Sequence, residues 1–121
     1  MIDNSNRWIG LSATATVLAG LLISSVSFAA ESDIAQGKEI AFDRKQGNCL
    51  ACHMIEGGNS PGNIAPPLVA MKARFPNKQD LRNQIWDPTV RNPETSMPPF
   101  GKHEILTKQE LDKVVEFIWS L

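Results

Sequence analysis

Apolar positions recur at helical spacing in several stretches of the chain. Near the C-terminus Leu111, Val114, Val115 and Ile118 stand at i, i+3, i+4 and i+7, which predicts a helix with one apolar face. Thr107-Lys108-Gln109-Glu110 opens it as a capping box, the Thr hydroxyl serving the N–H of Glu110 and the Glu carboxylate serving that of Thr107. Further forward, Asp33 reads as the N-cap of a first helix that runs to about Gln46, with Ile34, Gly37, Ala41 and Phe42 toward one face and Gly47-Asn48 ending it. A glycine inside a helix costs about 1 kcal/mol relative to alanine, so Gly37 points to a close helix crossing. The C-terminal helix is its natural partner.

The middle of the chain predicts shorter elements. Asn77 with Asp80 three residues on marks a helix start, followed by Leu81, Ile85 and Trp86 before Pro88 stops it. Pro66 and Pro67 suit the first turn of a short helix through Leu68, Val69, Met71 and Lys72. From Glu56 to Pro67 the run Gly57-Gly58-Asn59-Ser60-Pro61-Gly62-Asn63 is rich in turn formers and predicts a loop. These elements add up to a small all-α domain without internal repeats.

One stretch stands apart. Residues from Trp8 to Ala30 carry no charge, with an apolar centre from Val17 to Ile23, a weakly positive start at Arg7 and small residues at Ser27 and Ala29. The pattern predicts a secretory signal peptide, residues 1–29, cleaved after Ala29; an uncleaved membrane anchor is the competing reading. Cleavage would leave about 92 residues, a size at which a hydrophobic core alone is marginal. The formal net charge of -1 over 121 residues lacks the basic excess of a nucleic-acid binder, which leaves proteins as the expected partners.

The two cysteines both fall in Cys49-Leu50-Ala51-Cys52-His53, the attachment signature of a c-type haem. Two thiols would add across the porphyrin vinyl groups and the imidazole would bind the iron, so one turn holds the cofactor both covalently and by coordination. A buried haem would also supply the apolar surface that so short a chain lacks. A redox dithiol expects a βαβ context that is missing here, and a structural zinc site needs further ligands where the chain offers only His103. Haem c attachment takes place outside the cytoplasm in bacteria, in agreement with an export signal and a periplasmic location.

The chemistry depends on the second iron ligand. Met54, Met71, Met97 and His103 are the candidates. Met54 adjoins His53 and cannot reach the opposite face, and Met71 stands at helical spacing with Leu68, where methionine more often fills a core. Met97 precedes Pro98-Pro99-Phe100-Gly101, a stiff segment suited to lie across the distal face, and is the preferred ligand, with His103 kept as the alternative. A thioether raises the potential, and two protein ligands leave no open position, which favours electron transfer over catalysis. The Pro66 carbonyl is a candidate acceptor for His53 Nδ1 that would fix the ring. Lys38, Lys45, Lys72 and Lys102 are candidates for a positive rim, and Trp86, Trp119 and Phe100 for either an apolar docking patch or core.

With these features in place the chain resembles the class I cytochrome c family and, more narrowly, the SoxX family of small cytochromes from the sulfur-oxidising SoxAX complex. The resemblance rests on Ala41 to Lys45, Gly47 to His53, Pro61 to Ile64, Pro66 to Pro76, Gln84 to Asp87, Arg91 to Pro93, Met97 to Gly101 and Ile105 to Thr107. It implies a cytochrome c domain over residues 30–121, one covalent haem c on Cys49 and Cys52, and His53 and Met97 as axial ligands. The chain departs from the common class I pattern at Ala65, where glycine is usual before the first proline. The family implies a heterodimer with a SoxA-like cytochrome, at whose haem site thiosulfate is joined to a cysteine of the carrier SoxYZ. This chain would then be the electron-transfer subunit of an L-cysteine S-thiosulfotransferase, without catalysis at its own haem, passing electrons to a further cytochrome. A freely diffusing periplasmic cytochrome c shuttle is the rival expectation.

Overall fold

The C-terminal stripe is the centre of the core. In the computed structural model, which describes residues 23–121, Leu111, Val114, Val115 and Ile118 are all buried, and Phe117 joins them. Among the described residues the helices are α1 (Ile23–Phe42), α2 (Met71–Arg74), α3 (Lys78–Trp86) and α4 (Lys108–Ser120). Two single 3-10 turns, Cys49–Ala51 and Pro88–Val90, complete the regular structure. Among the described residues there are no strands, and no helix is long and apolar enough to cross a membrane.

α4 begins as its sequence predicts. Thr107 N–H donates to Glu110 Oε2 at 2.8 Å and Glu110 N–H to Thr107 Oγ1 at 3.2 Å, so both halves of the capping box are present. These bonds to the ionised form hold the Glu110 carboxyl below its ordinary value, with the Thr107 backbone N–H as the larger cause.

α1 crosses α4 at Gly37. A Cβ placed there would lie 2.0 Å from the Lys113 carbonyl oxygen and 3.1 Å from the Phe117 Cβ, so only a hydrogen fits between the helices. Phe42 meets Phe117 edge to face at 5.8 Å between ring centroids, an arrangement that adds about 1 kcal/mol beyond burial.

The bounds of α1 differ from the expected ones at both ends. Asp33 is not the N-cap, because the helix runs back through it to Ile23. Ala29, Ala30 and Glu31 are good helix formers with no breaker among them, and their propensity outweighs the cap signal. The helix ends at Phe42 rather than Gln46, since the Asp43 carboxylate takes the N–H of Lys45 at 2.8 Å and its carbonyl takes that of Asn48 at 2.9 Å, coiling residues 43–48 into turns. Residues 1–22 of the expected export signal, residues 1–29, lie outside the described residues.

α3 packs beside α4 through buried Leu81 and Ile85, with Lys78–Glu116 at 2.8 Å and Arg82–Asp112 at 2.7 Å bridging the two helices at the surface. Asn77 caps it as expected, accepting from Gln79 N–H at 3.0 Å. The short helix after the proline pair starts later than expected. Pro66 to Val69 lie outside any helix, and Ala70, in the left-handed region at φ 51°, turns the chain into α2.

Candidate haem site

The attachment motif begins the 3-10 turn Cys49–Ala51, and the loop that follows folds back along it. Gly62 N–H donates to the Leu50 carbonyl at 2.7 Å, Ala65 N–H to that of Cys52 at 3.0 Å, and Leu68 N–H to that of Met54 at 2.9 Å. At the first of these a Cβ on Gly62 would sit 2.2 Å from the Ala51 carbonyl oxygen, so the loop can approach the turn only through glycine. The irregular run expected from composition is therefore a loop tied down at three points.

That tie brings Pro66 to His53. The imidazole Nδ1 lies 2.7 Å from the Pro66 carbonyl oxygen. A carbonyl only accepts, so Nδ1 donates to it and Nε2 is the ring nitrogen available to a metal. The contact expected between Pro66 and the ring is present.

Both cysteines are half-buried and free of disulfide. Burial, the main cause, pushes the Cys49 thiol up from its ordinary 9.0 to about 11; a backbone hydrogen bond at Cys49 opposes this and neighbouring Cys52 adds to it. A dithiol of the redox kind works as a thiolate, which this burial disfavours at Cys49. Among the described residues no three His, Cys, Asp or Glu side chains are grouped to hold a metal ion. The donor set fits a haem held by two thioethers and one imidazole.

The four candidates for the second ligand separate by position. Met71 is buried at 2% exposure, its backbone N–H bonded to the Leu121 carbonyl and its sulfur 3.6 Å from Arg74 Nη1, so it is core, as expected. Met54 and His103 are exposed. Met97 is partly buried and packs against the hydrophobic core. The loop behind it is seated on α3: Gly101 and Lys102 N–H both donate to the Trp86 carbonyl, and a Cβ on Gly101 would lie 2.1 Å from the indole. Lys102 also pairs with Asp87 at 2.7 Å, which holds the Asp87 carboxyl below its ordinary range, with Thr89 as the next cause.

Other expectations change. Phe100 is buried, and Trp86 and Trp119 are partly buried and pack against the core. The exposed apolar side chains are Met54, Ile64, Val69, Val90 and Ile105. Of the four lysines expected at a rim, Lys102 is paired with Asp87, while Lys38 and Lys72 lie over Phe42 and Trp119. Arg74 was not singled out by its sequence position. Its Nη1 donates to the Pro67 carbonyl at 2.8 Å, next to the peptide that holds His53. The signal for it was present only as one residue of the family-like run from Pro66 to Pro76.

The cytochrome c family description matches residues 34–121. The chain belongs to the cytochrome c family. It is similar to a chain in the crystal structure of SoxXA from P. pantotrophus, with 28% identity and a TM-score of 0.64 over 71% of this chain and 79% of that one. The expected likeness to a SoxX-type cytochrome is borne out, as is the all-α class I architecture. A protein of Aquifex aeolicus (strain VF5) described as an uncharacterized lipoprotein is 31% identical over 75 residues. Those residues are 61% of this chain and 36% of that relative, so the match spans about a third of the relative's length. As a cytochrome c the chain carries a covalently bound haem c and transfers electrons.

Proposed function

We propose that this chain is the exported electron-transfer subunit of a SoxAX-type complex, cleaved after Ala29 and resident in the periplasm. Cys49 and Cys52 hold the haem by thioether bonds, and His53 and Met97 are its axial ligands. The observation that carries the reading is the similarity to the SoxXA chain over 71% of this chain, in a chain whose cytochrome c match, residues 34–121, includes the attachment motif. The name of the Aquifex relative, a lipoprotein, agrees with export.

Bound there, haem c supplies a one-electron ferric/ferrous couple. The chain's own residues set the conditions for it. Pro66 fixes the imidazole and, by drawing on the Nδ1 proton, makes Nε2 a stronger donor. Met97, with Pro98 and Pro99 after it and Gly101 and Lys102 seated on Trp86, would supply the second protein ligand and leave no position for small ligands. A closed iron suits outer-sphere transfer. Coupling thiosulfate to a thiol releases two electrons, of which a single haem at the coupling site takes one, and a second haem on this chain gives the other somewhere to go. A SoxA-like cytochrome is thus the stable partner, SoxYZ the carrier, and a further cytochrome the acceptor.

Reconstitution tests this. With the SoxA-like partner, carrier and thiosulfate supplied, the haem of this chain, followed optically, is reduced as coupling proceeds, and omission of the chain slows coupling. A haem that stays oxidised while coupling runs at full rate without this chain refutes the role and leaves the free shuttle as the better account.

A further inference from the structure

The proline pair that orients His53 has little to hold it. Neither Pro66 nor Pro67 has a backbone N–H, so the peptide linking them makes one contact, the Pro66 carbonyl to His53 Nδ1. The next peptide is gripped on both edges. Leu68 N–H donates to the Met54 carbonyl at 2.9 Å on one side, and Arg74 Nη1 donates to the Pro67 carbonyl at 2.8 Å on the other. Because the Pro67 ring fixes φ, a single soft torsion, ψ of Pro67, separates this gripped peptide from the carbonyl that holds the imidazole.

Arg74 is itself fixed from behind. Its Nη1 also lies 3.6 Å from the sulfur of buried Met71, whose backbone N–H is bonded to the Leu121 carbonyl at 3.1 Å. The residue after it, Phe75, offers its carbonyl to Trp119 Nε1–H at 3.0 Å, so the arm stands on the end of α4. Among the described residues no carboxylate pairs with Arg74. Its Nη1 meets both the Pro67 carbonyl and the Met71 sulfur, and a guanidinium is suited to reach both at once.

We infer that Arg74 is a positioning residue for the axial imidazole: by holding the Pro67 carbonyl it keeps the Pro66 carbonyl aimed at His53 Nδ1. The inference rests on the reading of His53 as an iron ligand. Loss of the arm leaves that peptide held only through Leu68 N–H, ψ of Pro67 varies more widely, the Nδ1–H bond opens more often, and the ring is less firmly oriented.

The test is made on the holoprotein, labelled for NMR, comparing wild type with R74A and R74K. The readout is solvent exchange of the His53 Nδ1 proton, set against exchange of the backbone amides of α4. R74A should speed Nδ1–H exchange about 10-fold or more, the usual scale for removing an outer partner of a ligating histidine, while α4 amides stay within about two-fold. R74K, whose ammonium can still donate to the Pro67 carbonyl, should recover part of the difference; R74Q replaces R74A if that variant fails to assemble. Exchange unchanged in R74A, R74K no slower than R74A, or α4 amides accelerated by the same factor as Nδ1 would each overturn the inference. A wild-type His53 ring without hyperfine-shifted resonances would remove the ligand assignment itself, a failure distinct from an iron-bound ring that ignores Arg74.

Discussion

Replacing Gly37 with alanine should destabilise the protein although alanine is the better helix former. Propensity alone favours the substitution by about 1 kcal/mol. Against it stands the crossing with α4, where the new Cβ would lie 2.0 Å from the Lys113 carbonyl oxygen and 2.5 Å from its carbon. Ordinary contact is about 3.5 Å, so the helices would have to part by roughly 1.5 Å. Both obstructing atoms are backbone and cannot swing aside as a side chain would. Overpacking of this kind costs about 1–3 kcal/mol and here falls toward the upper end, because separating α1 from α4 also loosens Phe42 from Phe117. The net loss is about 2 kcal/mol, which for a domain of this size lowers the melting temperature by roughly 8–16 °C. Thermal unfolding of the oxidised holoprotein followed by circular dichroism is the assay. Ala35→Gly, two positions away on the exposed side of α1, is the control and should cost about 1 kcal/mol in the opposite sense of substitution. If Gly37→Ala melts at or above the wild-type temperature, the helices do not meet through that glycine and the account of the crossing is wrong.

Met97→Ala should let cyanide or imidazole bind the ferric protein and lower its potential by on the order of 0.1 V, within the range that axial ligands set; a visible spectrum unchanged from wild type would move the assignment to His103. Asp87 contributes stability that is present above its ordinary value of 3.8, because pairing with Lys102 depresses its pKa in the folded state, and that contribution is lost as pH falls through the depressed value. Asp87→Asn should accordingly be less stable than wild type to urea at neutral pH, with the gap closing in acid; a gap that persists in acid would assign Asp87 another role.

The elements legible in the sequence are those whose signal is local. The capping box at Thr107, the cap at Asn77 and the helical stripe of α4 depend on residues within one or two turns, and each forms as its pattern dictates. Gly37 was legible for another reason: an interior glycine carries a cost that something must offset, and the offset is the crossing. The start of α1 was misread because Asp33 serves equally well as a cap or as a partly exposed helical residue, and only the helix-forming residues before it decide. The proline pair was misplaced because proline suits extended chain as well as a first helical turn, and Ala70 gives no sequence sign that it will adopt a positive φ. At the site, the motif named the haem-bearing residues, and Pro66 followed from chemistry because a proline carbonyl has few other duties.

What stayed hidden shares one property. Among the described residues the structure buries no polar or charged side chain, so the site is not organised by a buried network of residue types that a sequence could announce. It is organised by backbone carbonyls. Those of Leu50, Cys52 and Met54 accept from the returning loop, that of Pro66 from His53, that of Pro67 from Arg74 and that of Phe75 from Trp119. A carbonyl is the same atom in every residue, so, Pro66 apart, the acceptor side of these links carries no sequence signature, and the information lies in the donors and in the glycines and prolines that let the chain come close. His53 is visible because its motif is named. Arg74 and Trp119 are ordinary residues until the carbonyls they serve are located, and they then form a continuous path from the end of α4 to the imidazole.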